Sequence, residues 1–232
     1  MKKMDFLKSG IILHRGLHGK WPENSIKAIK QGMKKGCPIE IDIHLTLDKK
    51  VIVFHDDSLY RMCGVKKKIK DCTYDEICNL NLNNSECKIP TLEEVLKTVN
   101  GIVPLIIECK YDRPYGLLER EASIYLDLYN GEFCVKSFSP FSVFWFRLHR
   151  PSYIRGLLIS NKKSTFKERF VSSMFMIKLC KPDFISCNYR LYNDKRIKKF
   201  KKPVIAWTVR NNKAFFKYKN KFDSLIVEKI DF

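Results

Sequence analysis

Short apolar runs recur along the chain at residues 11–13, 39–45, 103–109, 133–135, 153–159, 183–186, 203–209 and 224–227. Each is three to seven residues long and rich in Ile, Val, Leu and Phe, the pattern of a buried strand. Between most of them lie stretches of helical length and period, at 24–35, 91–99, 115–129, 140–149, 165–180, 190–199 and 211–219. Strands that alternate with helices pair in parallel, because a parallel neighbour needs a crossover, and eight such units close a barrel. The expected fold is therefore α/β, a TIM-type (β/α)8 barrel. Two helix starts support the parsing. Asn24 is placed to cap a helix directly after Pro22-Glu23, and Thr91 to Glu94 reads as a capping box. The alternation is interrupted once, at residues 56–90, where little periodicity survives beyond a short helix near Tyr74. This stretch is read as an insertion after the second strand, lying over the catalytic face of a single domain spanning residues 1–232.

Composition narrows the function classes. A chain of 232 residues, 45% hydrophobic and 30% charged, is large enough for one sizeable core and is not a disordered sequence. Its 44 Lys+Arg against 25 Asp+Glu give a formal charge of +19. That charge favours anionic partners: nucleic acid, an anionic membrane or a phosphate-bearing small molecule. The basic residues are scattered, as in Lys66-Lys67-Lys68 and Lys198-Lys199, and read as solvated faces. Nine cysteines show no Cys-x-x-Cys pair, which speaks for free thiols in a reducing compartment rather than a disulfide framework. Asp5 and Lys8 interrupt any apolar signal segment, so export is not expected, and the most apolar later stretch, 170–180, is too short to span a bilayer.

Candidate chemistry gathers at the ends of the predicted strands. Glu40 and Asp42 share one face of the second run, with His44 further along. Two adjacent carboxylates need compensation, either by a hard divalent cation such as Mg²⁺ or Ca²⁺ or by an Arg or Lys partner. Glu108 stands directly after Leu105-Ile106-Ile107, near the end of the third run, and completes a three-carboxylate set, while Lys110 offers a positive charge to an anion. His14 and Arg15 follow the first run, and His55 follows the run at 51–54. Two histidines suit acid and base roles, and a guanidinium matches phosphate oxygens. His18, His44 and His149 are read as structural.

These residues resemble the glycerophosphodiester phosphodiesterase family. The resemblance rests on His14-Arg15-Gly16 with Pro22-Glu23-Asn24-Ser25, on Glu40-Ile41-Asp42, on His55-Asp56 with Arg61 and Gly64, on Pro90-Thr91-Leu92 and on Glu108-Cys109-Lys110. Weaker echoes at residues 136–140 and 206–209 extend it from about residue 11 to 227. It implies metal-dependent hydrolysis of a small-molecule glycerophosphodiester to glycerol 3-phosphate and an alcohol. Glu40, Asp42 and Glu108 would hold Mg²⁺ or Ca²⁺, His14 and His55 would be the acid/base pair, and Arg15 and Lys110 would bind the phosphate. Phe138 and Trp207 would line the glycerol or leaving-group side, unless they are barrel core. Two alternatives stand beside this: a lysophospholipid-cleaving enzyme peripheral to the inner face of an anionic membrane, and a silent barrel binding anionic lipid or nucleic acid. A cytoplasmic location and no nucleic-acid partner are expected. The sequence departs from the family pattern at Arg210, in place of the usual Asn, and at Val227-Glu228-Lys229-Ile230, where a Thr-Asp turn and a closing helix are expected.

Overall fold

The computed structural model describes residues 4–110, 114, 116–160 and 174–230. The chain forms two compact units, Leu13–Glu132 on the one hand and Met1–Ile12 with Phe133–Phe232 on the other.

In the first unit, β1 (Gly10–His14) delivers its last two residues to a parallel ladder with β2 (Ile39–Leu45), pairing His14 with Glu40. β2 also pairs in parallel with β4 (Leu105–Cys109), which sets Asp42 beside Glu108. On its far end β2 turns back into β3 (Val51–Val53), antiparallel to it. All seven residues of β2 are buried, so isoleucines fill one face while Glu40, Asp42 and His44 occupy the other. Helix α1 (Ile26–Met33) closes on this strand through Gly32, where a Cβ would stand 2.9 Å from the Ile39 side chain. The residues from 56 to 90 are not a bare loop. They hold two single-turn helices, α2 (Tyr60–Cys63) and α3 (Tyr74–Ile77), around a buried cluster that includes Leu59, Met62, Ile69, Leu82 and Ile89. Beyond them come α4 (Leu92–Val99) and α5 (Leu117–Leu126).

The second unit repeats the strand–helix alternation. It contains β5 (Phe133–Ser137), α6 (Pro140–His149), β6 (Ile154–Ile159), α7 (Met174–Cys180), β7 (Phe184–Asn188), α8 (Lys195–Lys199), β8 (Val204–Val209), α9 (Asn212–Tyr218) and β9 (Ser224–Val227). Its strands pair in parallel in sequence order. The strand order is β1-β9-β8-β7-β6-β5-β4-β2-β3 with β1 also paired to β2: a closed ring of eight parallel strands, with β3 outside it. The fold is the TIM-type (β/α)8 barrel.

Two local expectations are corrected. The helix expected over 190–199 forms only as α8, because Asp194 bonds the Arg196 N–H and starts a new helix there, after a separate 3₁₀ turn at Tyr189–Leu191. Ser25, not Asn24, caps α1: its Oγ accepts from Ala28 N at 3.2 Å. The helix expected over 165–180 falls partly outside the described residues, which give only its end as α7. The Thr91 capping box forms as read, with reciprocal bonds of 3.2 and 2.7 Å to Glu94.

Candidate active site

The loop after β1 is shaped by backbone conformation before any side chain acts. Arg15, Gly16 and Asn24 all have positive φ, at 56°, 81° and 59°. Gly16 is the position that admits no substitute, since a Cβ there would lie 2.8–2.9 Å from the backbone of Ala28 and Ile29. The loop is pinned to α1 by Leu17 N to Ala28 O, 3.0 Å, and folded on itself by Asn24 N to Arg15 O, 3.0 Å. Freed from capping, the Asn24 side chain turns inward and its Nδ2 donates to Asp42 Oδ2 at 3.0 Å.

The carboxylates converge. Ligand oxygens of Glu40, Asp42 and Glu108 lie within 4.8 Å of one another, and all three residues are buried. Lys110 reaches back from the end of β4 to sit 2.7 Å from Asp42 Oδ1 and 2.6 Å from Glu108 Oε1. Arg15 Nε stands 3.1 Å from Asp42 Oδ2, and the Arg15 backbone N–H donates to Glu40 Oε2 at 3.3 Å. Burial alone would raise the Asp42 pKa, but Lys110 and Arg15 hold it well below the ordinary carboxylate range. Burial would likewise lower Lys110, yet Glu108 and Asp42 raise it, so the ammonium stays charged. Three buried oxygen donors of this kind suit a hard divalent cation.

His55 follows β3, one residue beyond Phe54, whose N–H bonds Asp42 O at 2.9 Å. Its Nδ1 lies 2.5 Å from Asp56 Oδ1, and its carbonyl accepts from His44 Nε2 at 3.1 Å. His44 is thus a backbone tie, in keeping with its structural reading. Burial, with help from Lys110 and Arg15, pushes the His55 pKa down, against the opposing pull of Asp42 and Asp56. Asp56 itself is drawn down to about 2, against burial, by hydrogen bonds from Arg61 and His55. Arg61 grips Asp56 through Nε at 2.6 Å and Nη2 at 3.0 Å, and Glu23 through Nη2 at 2.7 Å and Nη1 at 3.2 Å. Glu23 in turn accepts from Arg15 Nη1 at 2.7 Å. No role for Asp56, Arg61 or Glu23 follows from the sequence beyond their place in a motif. The signal available is that an acid adjoins His55, with a cation five residues on.

The remaining expected residues lie in the second unit. Phe138 and Trp207 meet edge to face, with ring centroids 5.6 Å apart, and Phe138 is 40% exposed, so neither behaves as closed core. Regular pairing of β8 with β9 slips between Ala206 and Val209, so Trp207 pairs with Asn188 of β7 but has no regular partner on β9. Arg210 forms an ion pair with Glu228, so the two departures from the family pattern are partners. His149 is an exposed ring stacked on Trp145 at 4.4 Å and bonded to its carbonyl.

An α/β barrel that gathers histidines, carboxylates and cations at its strand ends has the build of a phosphodiesterase. The profile of the glycerophosphoryl diester phosphodiesterase family matches residues 14–231, and the chain belongs to that family. It is 29% identical to the Bacillus subtilis protein YhdW, named a putative glycerophosphodiester phosphodiesterase, over 88% of this chain and 87% of that one. It is 39% identical to the uncharacterized B. subtilis protein YqiK, over 37% of this chain and 38% of YqiK, so that match spans well under half of the relative. Among solved structures, an Oleispira antarctica phosphodiesterase in complex with the product sn-glycerol-3-phosphate superposes with a TM-score of 0.77 at 23% identity, covering 94% of this chain and 92% of that one.

Proposed function

We propose that the chain hydrolyses a glycerophosphodiester to glycerol 3-phosphate and an alcohol. The observation that carries this is the cluster of three buried carboxylates with Arg15 and Lys110 in contact with Asp42. Glu40, Asp42 and Glu108 would hold Mg²⁺ or Ca²⁺, whose chemistry is to neutralise charge on the phosphate and organise the attacking oxygen. Arg15 and Lys110 bind the non-bridging phosphate oxygens. Both are already drawn into place by carboxylates, so little ordering entropy remains to be lost on binding. His14 and His55 exchange protons with the nucleophile and the leaving alkoxide. The nucleophile is water or the substrate's own glycerol hydroxyl. With Nδ1 committed to Asp56, His55 presents Nε2 for this transfer.

The test is release of glycerol 3-phosphate from glycerophosphocholine, with and without chelator. Loss of turnover in His14→Ala, in Glu40→Ala and on chelation is expected. Full activity in Glu40→Ala would remove the metal assignment.

A second reading has an observation in its favour. Phe141, Leu148, Phe175 and Leu179 are exposed on α6 and α7, helices that contain Arg147 and Lys178 and no acidic residue. Exposed apolar groups among cations suit an anionic bilayer, and hence a lysophospholipid substrate taken at the inner membrane surface by a cytoplasmic protein. No helix among the described residues is long and apolar enough to cross a membrane, so such contact would be peripheral. Faster turnover of lysophosphatidylcholine than of glycerophosphocholine, raised by anionic vesicles, would favour it.

A further inference from the structure

The ion pairs around His55 form one continuous chain: His55, Asp56, Arg61, Glu23, Arg15, Asp42. Its third member is Arg61. The guanidinium grips two carboxylates that are 33 positions apart, and it is the only residue hydrogen-bonded to both among the described residues. We propose that Arg61 is a positioning residue for the acid/base histidine: it locks Asp56 in place, so that Asp56 fixes His55 as the Nδ1–H tautomer with Nε2 facing the reaction. The same residue ties that histidine to Arg15, the phosphate-binding cation, through Glu23.

Several features support this beyond the contacts. The fork is rigid and planar and cannot be imitated by an ammonium, which carries no fixed geometry. Arg61 sits in α2, a single turn that Gly64 ends with φ 72° and whose Met62 is anchored in the cluster beneath it. The guanidinium is therefore held from its own backbone, although nearly half of its side chain is exposed. The His55 backbone is fixed independently by His44, so removing Arg61 leaves the ring attached but free to turn. Asp56 is ionised near neutral pH, its pKa drawn down to about 2 by Arg61 and His55, so it faces His55 Nδ1 as an acceptor. Other charges that act on His55 are Asp42, Lys110 and Arg15. None of them bonds its ring, so Asp56 alone among these groups sets the tautomer.

The inference rests on the phosphodiesterase reading, and the experiment separates the two. Arg61→Ala should lower kcat for glycerophosphocholine by about 10–100-fold with KM changed less than threefold, by analogy with the loss seen when the outer partner of a metal-bound histidine is removed. Asp56→Asn should cost as much or more, and the double variant should be no worse than Asp56→Asn alone. Arg61→Lys should recover only part of the loss. Additive losses in the double variant, full rescue by Lys, or a wild-type kcat in Arg61→Ala would overturn the proposal. In parallel, ¹⁵N NMR of the imidazoles reads the tautomer directly, with His55 assigned by His55→Gln. The wild type should show His55 protonated at Nδ1, and both Arg61→Ala and Asp56→Asn should shift it toward a mixture. An unshifted His55 in both variants would overturn the positioning role. A shifted spectrum in a protein that turns over no diester would instead remove the catalytic reading and leave the network standing.

Discussion

Replacing Gly16 by alanine is the sharpest test of how this site is built. Two separate costs arise. The first is conformational: φ is +81°, a region that a residue with a Cβ enters at about 1–2 kcal/mol. The second is steric. The new Cβ would stand 2.8 Å from Ala28 C, 2.9 Å from Ala28 O and 2.9 Å from Ile29 N. Carbon contacts settle at about 3.5–4.0 Å, so the loop and helix must part by more than half an ångström. The neighbours are backbone atoms in the first turn of α1. They cannot swing away without loosening Leu17 N to Ala28 O and Ile29 N to Ser25 O, each 3.0 Å. Overpacking of this kind costs about 1–3 kcal/mol, and a weakened hydrogen bond about 1 more. Reduced freedom of the unfolded chain returns roughly 0.5 kcal/mol. The net expectation is a loss of about 3–5 kcal/mol. Gly36→Ala is the control: its φ is +66°, but nothing lies within 4 Å, so only the conformational cost applies. Urea denaturation followed by tryptophan fluorescence should separate the two variants by at least about 2 kcal/mol. In thermal melts this is a gap of about 4–8 °C for a chain of this size. Equal stability of Gly16→Ala and Gly36→Ala would refute the claim that close packing of the loop on α1, rather than backbone conformation, makes Gly16 necessary.

Other outcomes follow from the same contacts. Asn24→Ala removes a hydrogen bond to the ionised Asp42 and puts a Cβ residue less suited than Asn at φ 59°, so a loss of about 3 kcal/mol is expected, with Asn24→Gly losing less because the backbone is content. If Asn24→Gly is as damaging as Asn24→Ala, backbone conformation contributes nothing there. Asp56 has its pKa lowered from 3.8 to about 2, so its stabilisation is full above pH 4 and is lost as pH falls toward 2. Partial exposure screens the pair, leaving roughly 1 kcal/mol. Arg61→Ala should accordingly flatten the fall in melting temperature between pH 4 and 2, and an unchanged slope would count against the pairing. Thr91→Ala removes one half of the capping box on α4 and should cost about 1 kcal/mol in urea denaturation. No loss would mean that Glu94 caps the helix alone.

The barrel is legible in the sequence because buried parallel strands are apolar on both faces and announce themselves as runs, which the crossover helices then separate. The strand-end residues are legible for the same reason: a carboxylate near the end of such a run, as at Glu108, stands out against its apolar neighbours. What the sequence hides depends on contacts it does not order. The segment 56–90 shows little period beyond the short helix at Tyr74 because its buried cluster is assembled from single turns and irregular backbone. Asn24 reads as a cap because capping is a local property, whereas its bond to Asp42 crosses 18 positions. Asp194 interrupts a helix that composition alone would continue, since its side chain bonds the backbone two residues on and begins a fresh one. The Arg61 contacts are the extreme case, because Glu23 and Asp56 meet only after β1, α1 and the β2–β3 hairpin are in place.

One consequence of β2 concerns how this gene can change. Its register sets Asp42 against Glu108 and Glu40 against Ile106, with isoleucines alternating between them. The strand therefore behaves as a reading frame of period two. Inserting or deleting one codon within it would flip all residues beyond that point, sending their carboxylates outward and their isoleucines inward. A two-codon change would preserve polarity but slide each carboxylate along the barrel by about 6.6 Å, out of reach of Lys110. Length variation in descendants of this sequence should consequently be abundant in the 56–90 segment and absent from the seven residues of β2.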